Sequence, residues 1–133
     1  METETLYSIA ENHKIKVDRF CLSANKSISL NIQDHLFVAL DNNIYGADEK
    51  VCLAHELGHC ETLSFYNIYS PLDVRGKHER RADIWAINKL VPRQQLEYAI
   101  KQGYRSLYDL AEFFGVTTVF MRKAIEYHNQ SQN

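Results

Sequence analysis

Gly46-Ala47-Asp48-Glu49-Lys50-Val51-Cys52-Leu53-Ala54-His55-Glu56-Leu57-Gly58-His59-Cys60-Glu61 is the stretch on which the fold turns. Asp48 and Glu49 follow Gly46 as acids placed in a first helical turn, where the helix dipole favours them. The spacing predicts a helix from residue 46 to about residue 61. Inside it lies H-E-x-x-H, as His55-Glu56-Leu57-Gly58-His59. Residues four apart on a helix differ by about 40° around the axis and about 6 Å along it. Both imidazoles then leave one face and can hold one metal ion. Glu56 stands on the flank of that face, close enough to act as a base on a water without being a ligand. Two neutral nitrogens and an open position suit Zn2+, with Mn2+ or Fe2+ also compatible once a carboxylate joins them. Six histidines and ten glutamates in 133 positions would produce this pattern at random about 2% of the time. Gly58 costs about 1 kcal/mol relative to alanine in mid-helix, which close packing against a neighbouring element would offset.

A catalytic site of this kind needs a third protein ligand. The candidate is Glu79, in Lys77-His78-Glu79-Arg80-Arg81-Ala82-Asp83-Ile84-Trp85-Ala86. Glu79, Ala82, Asp83 and Ala86 share one helical face, and the small alanines allow a close approach to the metal helix. Asp83, one turn on, is placed to accept an N–H from a ligand imidazole and so hold its tautomer. The competing reading of both acids is an ordinary exposed charge. Cys52 and Cys60 flank the motif, but a buried apolar thiol is the more common state of such cysteines. Tyr45, Tyr66, Tyr69 and His78 are candidates to stabilise an oxyanion, and spacing does not choose among them.

Working outward, residues 3–12 carry Leu6, Ile9 and Ala10 at helical spacing. Residues 15–20, 27–30 and 36–40 read as three short strands, expected as an antiparallel meander. Residues 62–76, which include Pro71, read as a loop. A second long helix is predicted from about 77 to 90, stopping before Pro92. Three more follow at roughly 92–102, 106–114 and 117–128, with Ser106 and Thr117 as N-caps. The expected class is α+β: an N-terminal helix, a small three-stranded antiparallel sheet, the motif helix and ligand helix, then a helical tail. The length of 133 residues suits one domain, 1–133, with a helical subregion over about 92–133.

His55-Glu56-Leu57-Gly58-His59, then Glu79-x-x-Ala82-Asp83-x-x-Ala86, then Leu90-Val91-Pro92, resembles the ImmA/IrrE family of bacterial and phage metallopeptidases. The order of elements is similar along nearly the whole chain. The segment around Glu79 with its trailing proline is the more specific half, since many zinc peptidases share H-E-x-x-H. Asp83 stands where many members have Asn, and Trp85 where many have Phe. The resemblance implies one zinc ion held by His55, His59 and Glu79, with Glu56 as catalytic base. It implies an endopeptidase that cleaves a helix-turn-helix transcriptional repressor of a phage or mobile element. The alternative is a non-catalytic, metal-containing binding partner of a repressor or toxin.

Charge argues against direct nucleic-acid binding. The net charge is −2. Residues 106–118 resemble a helix-turn-helix, but Arg122 and Lys123 are the only bases after Arg105, against Asp109, Glu112 and Glu126. A reading helix should be basic, so this pair is expected to serve core packing or protein docking. Three cysteines do not complete a disulfide framework, and Met1-Glu2-Thr3-Glu4-Thr5 has no apolar segment behind it. Residues 36–40, the longest apolar run, are too short to cross a membrane. Reduced thiols and a cytoplasmic location are expected.

Overall fold

A computed structural model describes residues 1–67 and 69–130. Residue 68 of the expected loop and residues 131–133 of the expected tail lie outside them. The described elements run α1 (Thr3–Asn12), β1 (Lys16–Phe20), β2 (Ser27–Ile32), β3 (His35–Asp41), α2 (Gly46–Thr62), α3 (Leu72–Leu90), α4 (Arg93–Lys101), α5 (Leu107–Phe114) and α6 (Thr118–Gln130). The class is α+β, as expected.

The sheet corrects one expectation. It is mixed, with strand order β1-β3-β2, and not an antiparallel meander. β3 pairs parallel with β1 and antiparallel with β2. β2 and β3 form a hairpin whose two turn residues, Gln33 and Asp34, both have positive φ, which matches the twist of the flanking strands. Residues 21–26 then carry the chain from β1 past β3 to its far side. The apolar run of β3 fits its central place. Val38, Ala39 and Leu40 are buried, while no residue of β1 or β2 is fully buried. Arg19 of β1 ties the far end of β3 to the start of α2. Its Nη1 donates to the carbonyls of Asp41 and Ile44, and its Nη2 pairs with Glu49 at 2.8 Å.

The loop after α2 is shorter than predicted. α3 begins at Leu72 directly after Pro71, whose φ of −57° suits the entry to a helix. Gly76 is absorbed into the helix with open space around it. α2 and α3 pack face to face. A Cβ on Gly58 would lie 2.6 Å from the Ala82 carbonyl oxygen and 2.9 Å from the Ala82 Cα. The glycine therefore permits the close approach that brings the two helices together. Leu53, Leu57, Leu90, Val91 and Met121 join Leu6, Val38 and Leu40 in the core.

The helical tail is tied to α2 by Lys50. Its buried ammonium donates to the Phe114 carbonyl at 2.7 Å, at the C-terminal end of α5 where a cation is favoured. Ser106 caps α5 through Asp109 N–H, and Thr117 accepts from Phe120 N–H. Among the described residues no helix is long and apolar enough to cross a membrane.

Candidate metal centre

α2 delivers His55 and His59, and α3 delivers Glu79. One ligand atom from each lies within 4.8 Å of the others. Glu79 Oε2 is 2.8 Å from His55 Nε2, Glu79 Oε1 is 3.2 Å from His59 Nε2, and the two Nε2 atoms are 3.2 Å apart. The opposite nitrogens fix the tautomers. His55 Nδ1 is 2.9 Å from Asp83 Oδ1, and His59 Nδ1 is 2.6 Å from the Ser64 carbonyl oxygen. A carboxylate and a carbonyl can only accept, so both Nδ1 atoms carry the proton. In the neutral rings both Nε2 atoms are then lone pairs, aimed at each other and at a carboxylate. Such a cluster is repulsive unless a cation lies among its atoms. The donor set therefore fits a metal ion on the chemistry of these residues alone.

In the metal-free protein a proton takes the role of that cation. Burial works against charge on His55, but hydrogen bonds to Asp83 and Glu79 more than offset it and raise its pKa to about 10. His59 is shifted up as well, with burial again opposing Glu79 and the Ser64 carbonyl. Hydrogen bonds from His55 and His59 hold Glu79 far below the usual carboxylate range. A metal must displace the His55 proton, so protons and metal compete below about pH 10. Zinc binding is expected to release at least one proton. Apparent affinity should rise at least about tenfold per pH unit between roughly pH 6 and 8. Calorimetric titration in buffers of different ionisation heat checks both, and a pH-independent affinity would contradict the proton assignment.

Asp83 also faces Lys123 of α6, with Oδ2 3.5 Å from Nζ. It thus orients His55 and meets the helical tail. Asp83→Ala is expected to weaken zinc binding about 10–100-fold, measured by competition with a chelator of known affinity.

Glu56 is buried, and its Oε2 accepts from Ser27 Oγ of β2 at 2.7 Å. It lines a cavity of about 490 Å³ together with His55, His59, Glu79, Ser27 and Tyr66. A second cavity of about 280 Å³ lies toward α6 and shares Ser27, His55 and Glu79 with the first. Of the four oxyanion candidates, the structure brings Tyr66 to the centre. Its hydroxyl donates to Glu79 Oε1 at 2.6 Å, which raises its pKa. Tyr45 and Tyr69 are 81% and 88% exposed, and neither lines this cavity. His78 stacks on the Tyr66 ring at 6.3 Å and does not line the cavity either. Its Nδ1 is buried without a hydrogen-bond partner among the described residues.

The cysteines stay apart from the cluster and from one another. All three are free. Cys60 is buried and its thiol is pushed up to about 12 by burial, Cys52 is half-buried, and Cys21 is exposed.

Three contributors were not foreseen from sequence. Ser27 comes from a strand far from the motif. The Ser64 carbonyl reaches His59 because α2 ends in a left-handed residue, Leu63, at φ 50°, and no glycine marked that turn. Arg75 lines the cavity from the first turns of α3, in a segment read as loop. The family described as IrrE N-terminal-like domain, Peptidase M78, matches residues 10–126. No curated protein matches the chain.

Proposed function

The chain belongs to the IrrE N-terminal-like, M78 family of peptidases, and on that footing we propose that it is a zinc-dependent endopeptidase. Its substrate on this reading is a protein, a helix-turn-helix transcriptional repressor of a phage or mobile element. The observation that carries the reading is the convergence of two imidazole lone pairs and the Glu79 carboxylate beside a buried Glu56.

His55, His59 and Glu79 would hold the ion. When bound, zinc supplies Lewis-acid polarisation of the scissile carbonyl and acidifies water at the site. Glu56 takes the proton from the attacking water on its carboxylate, which Ser27 Oγ holds in place, and returns it to the leaving amine. Tyr66 is the donor placed to meet the developing oxyanion, after its hydroxyl turns from Glu79. His55 and His59 keep their orientation through Asp83 and the Ser64 carbonyl.

Two features support cleavage within a chain over removal of an end residue. Ser27, His55 and Glu79 line both cavities, so the centre has space for substrate residues on more than one side. β2 is an outer strand of the sheet, and Asn25, Ser27, Ile28 and Ser29 line the larger cavity. An outer strand offers backbone groups to an extended peptide.

The test is coexpression with helix-turn-helix repressors encoded beside the gene. Appearance of two repressor fragments with a single new N-terminus, absent with Glu56→Gln, supports the reading. A repressor that binds tightly and stays intact supports the alternative, a non-catalytic metal-containing partner.

A further inference from the structure

Arg75 is the one basic side chain besides the histidines among the residues lining the larger cavity. Its guanidinium lies over the Tyr66 ring, 5.3 Å from the centroid. That contact holds the side chain at the cavity wall, because a guanidinium over an aromatic face is attracted by the ring. The natural intrahelical partner, Glu79, stands four residues on. It is already engaged, by His55 through Oε2 and by His59 and Tyr66 through Oε1. No carboxylate among the described residues forms an ion pair with Arg75. Arg75 also acts as a donor toward the Tyr66 hydroxyl, but a guanidinium carries five N–H donors, and a positioned, planar fork with donors to spare and no carboxylate partner, on the wall of a cleft, suits a carboxylate.

We propose that Arg75 binds a carboxylate of the peptide substrate within about three residues of the cleaved bond. This inference rests on the peptidase reading and names a substrate chemistry for it. The carboxylate belongs either to an Asp or Glu side chain or to the C-terminus of the substrate. The two sources share one chemistry and differ in what the enzyme then releases.

The test uses a synthetic library of randomised decapeptides, half with free and half with amidated C-termini. Cleavage by zinc-loaded wild type, Glu56→Gln, Arg75→Gln and Arg75→Lys is read as new termini by mass spectrometry. Binding is read separately, by affinity selection on zinc-loaded Glu56→Gln with and without Arg75→Gln. The expected result is Asp and Glu enriched about tenfold at one fixed position, in selected and cut peptides alike. The enrichment should vanish with Arg75→Gln and survive in part with Arg75→Lys, which keeps the charge and loses the fork. Enrichment in both halves assigns the carboxylate to a side chain. A preference confined to free C-termini assigns it to the chain end.

Peptides selected or cut with neither an Asp/Glu preference nor a preference for free C-termini would overturn the proposal and leave the peptidase reading intact, as would a preference that persists with Arg75→Gln. No selection of any peptide would overturn it too. An Arg75-dependent preference in binding, with no Glu56-dependent cleavage, would keep the carboxylate site and remove the peptidase reading.

Discussion

Glu56→Gln is expected to lower peptide-bond hydrolysis by about 10²–10⁴-fold and to leave metal content and melting temperature close to wild type. Glu56 is 7% exposed, and its carboxylate accepts a hydrogen bond from Ser27 Oγ. Glutamine has nearly the same shape, and its carbonyl oxygen still accepts that bond, so the packing survives. Glu56 is not one of the clustered ligand atoms, so the donor set also survives. What is lost is a group that can take a proton. The readout is the rate of substrate cleavage under single-turnover conditions, with zinc content measured on the same sample. Unchanged cleavage would remove Glu56 as the base. Lost zinc would mean that its role is structural.

The second large effect is expected at Gly58. Gly58→Ala places a Cβ 2.6 Å from a backbone oxygen and 2.9 Å from a backbone carbon of Ala82. No side chain can swing aside there, so α2 and α3 must separate. Overpacking of this kind costs about 1–3 kcal/mol, sometimes more. The same separation draws Glu79 away from His55 and His59, so zinc affinity should fall together with stability. Gly76→Ala is the control. It lies inside α3 with nothing near its would-be Cβ, and alanine there should add up to about 1 kcal/mol. Thermal denaturation of both variants, with and without zinc, reads the opposite signs. A Gly58→Ala protein with wild-type melting and zinc binding would show that the helix contact does not set the site.

These two positions also show what the sequence carries. H-E-x-x-H was legible because helical spacing alone puts His55 and His59 on one face. Glu79 and Asp83 were legible because the same spacing places them one turn apart beside small alanines. Gly58, an unfavourable residue in mid-helix, pointed to a close neighbour, and the neighbour is Ala82. Sheet order was not legible. The alternation in residues 15–20 reports burial but not partner, and six residues between β1 and β2 suffice to cross β3. Tyr66 could not be separated from Tyr45 and Tyr69, because a loop has no period from which to read a face. The Ser64 carbonyl carries no side-chain signature at all. Arg75 was missed for a related reason. Pro71 and Gly76 make its segment read as loop, although α3 begins at Leu72, so helical spacing does not place Arg75 on the face of Glu79.

His55, His59 and Glu79 are expected to form one metal centre. Elemental mass spectrometry of the purified protein, with Glu79→Ala beside it, tests this most directly. About one zinc per wild-type chain and far less in Glu79→Ala is the expected result. Wild-type protein that carries no metal, and shows no tight site on zinc titration, would contradict it.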